Sequence, residues 1–208
     1  MPPPPTTPVV FDSCLDTCDS WFFPPGQTSA NFVLNPLTLP SSFTIEARVR
    51  LASAQPSSNA HMFSFELPSV EINCVLLWNS ILPDDGNWHH IAVTSAGATF
   101  VDGVLADSND VYSQSGSSCA GAAGSFSLAN DQDGVANVND AEQATGLHAR
   151  YVAIHSIAWS AADTLARLAE PCRGVVSGPS LWGAWYGNST VDRSGSGRVS
   201  ATMAEATL

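Results

Sequence analysis

Nine consecutive residues, Phe43-Thr44-Ile45-Glu46-Ala47-Arg48-Val49-Arg50-Leu51, alternate apolar and polar without a break. Successive side chains of a β-strand point to opposite faces, so this period of two predicts a strand with one face buried and one wet. Phe63, Phe65 and Leu67 repeat the pattern, with Ser64 and Glu66 between them. Cys74 to Trp78 and Trp88 to Thr94 are denser apolar runs, as central strands of a sandwich require, and Pro83-Asp84-Asp85-Gly86-Asn87 between them is turn chemistry. Thr99-Phe100-Val101, then Asp102-Gly103, then Val104-Leu105 reads as a hairpin with a type I′ turn, whose two central residues both need positive φ.

Further strands are expected at Phe126-Ser127-Leu128 and from Arg150 to Trp159, with a small polar loop from Ser113 to Gly124. Only residues 160–169 look helical, with Ser160 as N-cap, Asp163 three residues on, and Leu165 and Leu168 on one side. Many short strands, turns between them and one late helix make an all-β, two-sheet antiparallel sandwich, and 208 residues suit one such unit. Residues 1–10 form a Pro-rich arm, residues 11–172 the sandwich, and residues 173–208 a C-terminal strand segment.

Nineteen acids against seven cationic residues, all Arg, give a formal charge of -12. That field repels nucleic acid and anionic membrane, and favours a divalent cation or a basic partner, or simply keeps the chain soluble. No stretch approaches the roughly 20 apolar residues of a membrane span. Five Cys, at positions 14, 18, 74, 119 and 172, lack the CxxC spacing of a zinc or redox site and read as disulfides in an oxidising, extracellular compartment. Five is odd, so one thiol is free or pairs between chains. The preferred pairing is Cys74 with Cys119, leaving Cys14, Cys18 and Cys172 to share one bridge. The N-terminus has no apolar signal core; a signal was removed, or this is a segment of a longer chain, or the chain is not secreted. Asn188-Ser189-Thr190 is an N-glycosylation acceptor in keeping with secretion.

Three stretches, in order, carry a resemblance. FTIEARVRL is similar to an early strand of concanavalin A-like, laminin-G and pentraxin domains; DGNWHHIAVTSAGATFVDGVLA resembles their central Trp-x-His signature running to VDG; ARYVAIHSIAWSAADTLARL resembles the closing strand and its short helix. The resemblance implies a jelly roll, and in most relatives a non-enzymatic extracellular role. In pentraxins an acid-Gln-Asp triplet forms a calcium loop, with a Gln ten residues beyond its Asp as another ligand. Asp131, Gln132 (through its carbonyl), Asp133 and Gln143 match that pattern, and Glu71 stands where an earlier strand contributes a carboxylate. Calcium takes about six to eight hard oxygens, which such a loop suits. Asp131 departs from the usual Glu, the Cys positions differ, and Asp-Gln-Asp-Gly is also ordinary turn chemistry.

Blander readings cover the other conspicuous side chains. His89 and His90 lie in a strand, pointing to opposite faces, one to core and one to solvent. His61, His148 and His155 are scattered, and Trp182 and Trp185 are core aromatics rather than a sugar platform. No E-x-D-x-E strand, no G-x-S-x-G elbow and no Lys is present, so no catalytic residue is nominated.

In laminin-G-like domains the opening element is a Trp-containing strand followed by D-x-S-G-x-G. Here it stands at the other end, as Trp182 or Trp185 followed by Asp192, Ser194, Gly195 and Gly197. The domain is circularly permuted, or is one repeat of an array, or lends this strand to a neighbouring subunit. The expected function is an extracellular recognition or adhesion module with a glycan or glycoprotein ligand and a calcium cofactor. The alternative is a structural subunit of an extracellular fibre or coat, self-associating through the C-terminal segment by strand exchange.

Overall fold

In a computed structural model of the chain, residues 20–26, 31–52, 60–67, 72–106, 111–112, 121–129, 145–168, 180–187, 189, 191–192, 194 and 202–204 are described; for residues 31, 72–79, 111–112 and 202–204 this is the backbone alone. Strands β1 (Trp21–Phe23), β2 (Asn31–Thr38), β3 (Thr44–Leu51), β4 (His61–Leu67), β5 (Ile72–Trp78), β6 (His89–Thr94), β7 (Thr99–Val101) and β8 (Val104–Leu105) come first. They are followed by β9 (Val111–Tyr112), β10 (Ala123–Leu128), β11 (Leu147–His155), helix α1 (Ala161–Leu168), β12 (Leu181–Tyr186) and β13 (Thr202–Ala204).

The strands form two antiparallel sheets. One runs β1-β11-β3-β6-β7-β8, with β12 also on β11; the other runs β13-β2-β10-β4-β5-β9. Their inner faces make the core. Phe32, Leu34, Leu37, Phe63, Phe65, Phe126 and Leu128 of the second sheet meet Ile45, Ala47, Val49, Ile91, Val152 and Ile154 of the first. Each large apolar side chain removed from water there contributes about 1.5–3 kcal/mol before entropy is counted.

The expected hairpin is present: Asp102 has φ 48° and Gly103 φ 77°, as a type I′ turn requires. The expected helix is also present. Ser160 N and Oγ donate to Asp163 Oδ2 at 2.7 and 2.6 Å, and Asp163 N donates back to Ser160 Oγ at 3.3 Å, a capping box with Asp in the third position. Strand β2 was not foreseen because Pro36 interrupts it. The ladder with β10 pairs Leu34 with Phe126 and Leu37 with Gly124, so Asn35 and Pro36 oppose the single residue Ser125, a bulge that tolerates the missing N–H.

One edge of β11 is shared. Tyr186 to Leu181 pair with Tyr151 to His155, and Trp21 to Phe23 pair with Ala149 to Leu147. Strands β12 and β1 therefore follow one another in the same direction along that edge, and between them Gly187 N donates to Arg150 O of β11 at 2.7 Å. Phe32 receives both Trp21 and Trp185, with ring centroids 4.8 and 6.2 Å away. Strand β12 is paired with β11 of this chain, and Trp185 is a core residue. The turn after it is built by Asp192, whose Oδ1 accepts from Ala184 N at 3.0 Å and Ser194 N at 2.8 Å.

The wet outer face expected of β3 is corrected. Thr44, Glu46 and Arg48 are as buried as the core positions between them. Alternation correctly assigns two faces, but α1 and Trp159 cover the outer one, and a local pattern cannot show a covering element more than a hundred residues away.

Candidate functional site

Strand β10 ends in a hydrogen-bonded neck. Ala129, with φ 73°, turns the chain out of the strand; its N–H donates to Met62 O at 2.8 Å. Thr145 N donates to Ala129 O at 2.9 Å, and Thr145 Oγ1 to His61 O at 2.8 Å. Both neck residues are buried. Residues 130–144 depart from and return to this point, and they carry Asp131, Asp133, Asp140 and Glu142 with no Lys or Arg.

Asp131, Gln132, Asp133 and Gln143 lie outside the described residues, as do Glu71, Asn188, Cys14, Cys18, Cys119 and Cys172; Cys74 falls on β5, backbone only. The register bears on Glu71. Its neighbour Ile72 pairs with Leu67, at the opposite end of β4 from Met62 and the neck. Among the described residues no group of three or more His, Cys, Asp or Glu could hold a metal ion.

The outer face of the first sheet brings together side chains that the sequence scatters. A bulge in β11 makes this so: Ala149 pairs with Val49 and Tyr151 with Arg48, leaving Arg150 extra. Arg150 and Tyr151, adjacent in sequence, consequently both reach the outer side. Tyr151 reaches Glu46, and Arg150 reaches Trp88. The bulge divides the face into two halves.

In the half under α1, Glu46 is fully buried. His155 Nε2 donates to its Oε1 at 3.0 Å, and His90 Nε2 and Tyr151 OH donate to its Oε2 at 2.8 and 3.2 Å. Arg167 Nε, from the last turn of α1, lies 3.3 and 3.2 Å from the two oxygens. Burial alone would raise the Glu46 carboxyl, but the hydrogen bonds from His155 and His90 and the charge of Arg167 hold it well below its usual value. Burial, with the carboxylate beside it, pushes the Tyr151 phenol up. The His155 ring packs 4.4 Å from Trp159. A carboxylate saturated with donors and closed from solvent fastens the helix to the sheet; it offers no position to a substrate.

His89 makes a second closed arrangement. Its Nδ1 is 2.7 Å from Asp102 Oδ2 and its Nε2 3.0 Å from Asp85 Oδ1, so the imidazole ties the 83–87 turn to the Asp102-Gly103 turn. Hydrogen bonding to Asp102, against the cost of burial and with further help from Asp85, raises the His89 pKa. The expectation of one core and one solvent histidine is corrected: His89 and His90 are both buried, one under each set of carboxylates. His155, read as isolated, shares Glu46 with His90.

The other half of the outer face carries a cross-strand row. Phe22 pairs with His148, His148 with Arg50, and Trp88 precedes the His89–Val49 pair, so it continues the row beside Arg50. Phe22 and His148 stack with centroids 4.6 Å apart. The guanidinium carbons of Arg150 and Arg50 lie 4.2 and 5.1 Å from the Trp88 ring centroid. Burial and the Arg50 charge lower the His148 pKa. These four row residues are half-buried, so part of each stays open to solvent.

Comparison with solved structures fits this architecture. A native heptameric SAP-like pentraxin from Limulus polyphemus superposes with a TM-score of 0.53 at 15% identity, over 89% of this chain and 95% of that one. The fold is a pentraxin-like jelly roll. A putative carbohydrate binding protein from Bacteroides ovatus also superposes with a TM-score of 0.53, at 16% identity and over 91% of this chain. The chain spans 59% of that protein's length. A Trypanosoma rangeli sialidase aligns at a TM-score of 0.44, too low to bear on function. No family model matches the sequence, and no curated protein does. No described helix is long and apolar enough to cross a membrane.

Proposed function

We propose that this chain is an extracellular, non-enzymatic recognition or adhesion module that binds a glycan or glycoprotein with the help of calcium. The observation that carries the reading is the neck at Ala129 and Thr145. Asp131 stands two residues after Ala129 and Gln143 two residues before Thr145, so chain connectivity tethers both to that bonded pair. Asp133 and the Gln132 carbonyl complete a set of hard oxygen donors. Likeness in fold to a pentraxin and to a carbohydrate binding protein supports a binding role. Glu71 would add a further carboxylate to the set.

Calorimetric titration of calcium into the full chain tests this. Binding should be seen in the native protein, be lost in an Asp131→Asn/Asp133→Asn variant and be weakened in Glu71→Gln. Equal, negligible heats for native and double variant would remove the metal site. A glycan array probed with calcium and with chelator then tests the ligand.

Secretion would add a glycan at Asn188, just before Ser189, whose N–H closes the turn onto Tyr186 O at 2.8 Å, and would oxidise the cysteines in pairs. Intact-mass measurement checks both. The fibre reading requires β12 to leave β11 of its own chain and take the same place, Trp185 included, on β11 of a neighbour.

A further inference from the structure

We propose that the aromatic row on the outer face of the first sheet is a second binding site, for a singly charged acidic sugar and independent of calcium. The chain as a whole carries a charge of -12, yet the four described arginines, Arg48, Arg50, Arg150 and Arg167, all belong to this one face. Arg167 is engaged with Glu46 under the helix. Arg48 and Arg150 are buried, and Arg50 is half-buried within the aromatic row.

The row Phe22, His148, Arg50, Trp88 crosses the sheet at right angles to the strands, each step about 4.8 Å. It therefore runs about 14 Å, the scale of one or two pyranose rings. Arg50, half-buried with its guanidinium carbon 5.1 Å from the Trp88 centroid, brings to the row the planar fork of donors that takes a carboxylate in a two-bond geometry. The aromatic edges beside it offer apolar surface to the C–H face of a sugar. The nearby carboxylates of Asp85 and Asp102 are turned to His89, at 3.0 and 2.7 Å. The strong overall negative charge opposes a polyanion but costs a single carboxylate little, since screening confines the field to about 8–10 Å. This selects a uronic or sialic acid residue over a sulfated polymer.

The test uses the full chain in excess chelator, titrated with methyl β-glucuronide and with methyl β-glucoside, and followed by NMR of the indole and phenyl resonances. The glucuronide should bind at least tenfold more tightly, shifting the signals of Trp88 and Phe22. Arg50→Gln should remove that preference, and Arg50→Lys, which keeps charge but not the fork, should restore only part of it. The Asp131→Asn/Asp133→Asn variant should bind the glucuronide as the native chain does, which separates this site from the calcium reading. Equal affinity for the two glycosides, an Arg50→Gln variant as selective as the native chain, or tighter binding of a heparin oligosaccharide would overturn the proposal.

Discussion

Arg167 Nε lies 3.2 Å from Oε2 of Glu46, joining the last turn of α1 to the middle of β3 in a setting closed to water. The pair is built from residues far apart in sequence. Removing one member leaves a buried charge without its counter-ion, which is costlier than removing both.

Arg167→Met should therefore lower stability by about 3–5 kcal/mol in urea unfolding, although its aliphatic stem is kept. The double variant Glu46→Gln/Arg167→Met should lose less than the sum of the two single changes. Strict additivity would show that the two groups are energetically independent.

The buried carboxylates and His89 give stability opposite slopes with pH. Glu46 and Asp102 are held below their ordinary values in the folded chain, so their contribution is present above about pH 4 and fades as pH falls through their lowered values. His89 is raised above 6.5, so what it contributes is complete below that value and is lost as pH rises through the raised one. Melting temperatures between pH 5 and 9 should fall on the alkaline side, and His89→Gln should flatten that fall. A native and a variant profile of equal slope would dismiss the bridge as a source of stability.

Two glycines with positive φ separate backbone strain from crowding. Gly86, φ +72°, has nothing within 4 Å of an added Cβ, so Gly86→Ala should cost about 1–2 kcal/mol from the left-handed backbone alone. At Gly103, φ +77°, the same methyl would come 2.6 Å from Leu165 Cδ2 and 2.9 Å from Leu168 Cδ1. Gly103→Ala should cost more than Gly86→Ala, with earlier amide exchange in α1. Equal costs would mean the leucines move aside freely.

Deletion of residues 178–208 tests where the tail belongs. It removes β12 and with it Trp185, a core side chain whose loss costs about 3–5 kcal/mol even as a simple truncation to alanine. The shortened chain should fail to unfold cooperatively, and the full chain should scatter light as a 21.8 kDa monomer. A soluble, folded short chain beside an open-ended full-length polymer would favour exchange between subunits.

Local chemistry was legible from the sequence where a few adjacent residues decide the outcome. Asp102-Gly103 admits the positive φ of its turn, and Ser160 with Asp163 caps α1 unaided. What was hidden depends on distant partners. Thr44, Glu46 and Arg48 read as solvated because nothing near them in sequence announces the helix that covers them. Strand β1 was missed because three residues, Trp21-Phe22-Phe23, have too short a period to register, and the Phe22–His148–Arg50 row exists only once β1, β11 and β3 are side by side. The 130–144 segment was the reverse case: its donors were visible by type and spacing, while the neck that gathers its ends belongs to backbone bonds.

The shared edge of β11 has a consequence for the order in which the chain can assemble. As the polypeptide emerges, Leu147–Ala149 can find β1 at once, since Trp21–Phe23 were made long before. The adjoining stretch Tyr151–His155 must wait for Leu181–Tyr186. Until then it is a bare, half-apolar edge, open to any extended strand in reach. Closing it draws together segments from near both ends of the chain, the kind of long-range pairing that slows folding. The first sheet is thus sealed late, and during that interval the nascent chain is most exposed to the wrong partner.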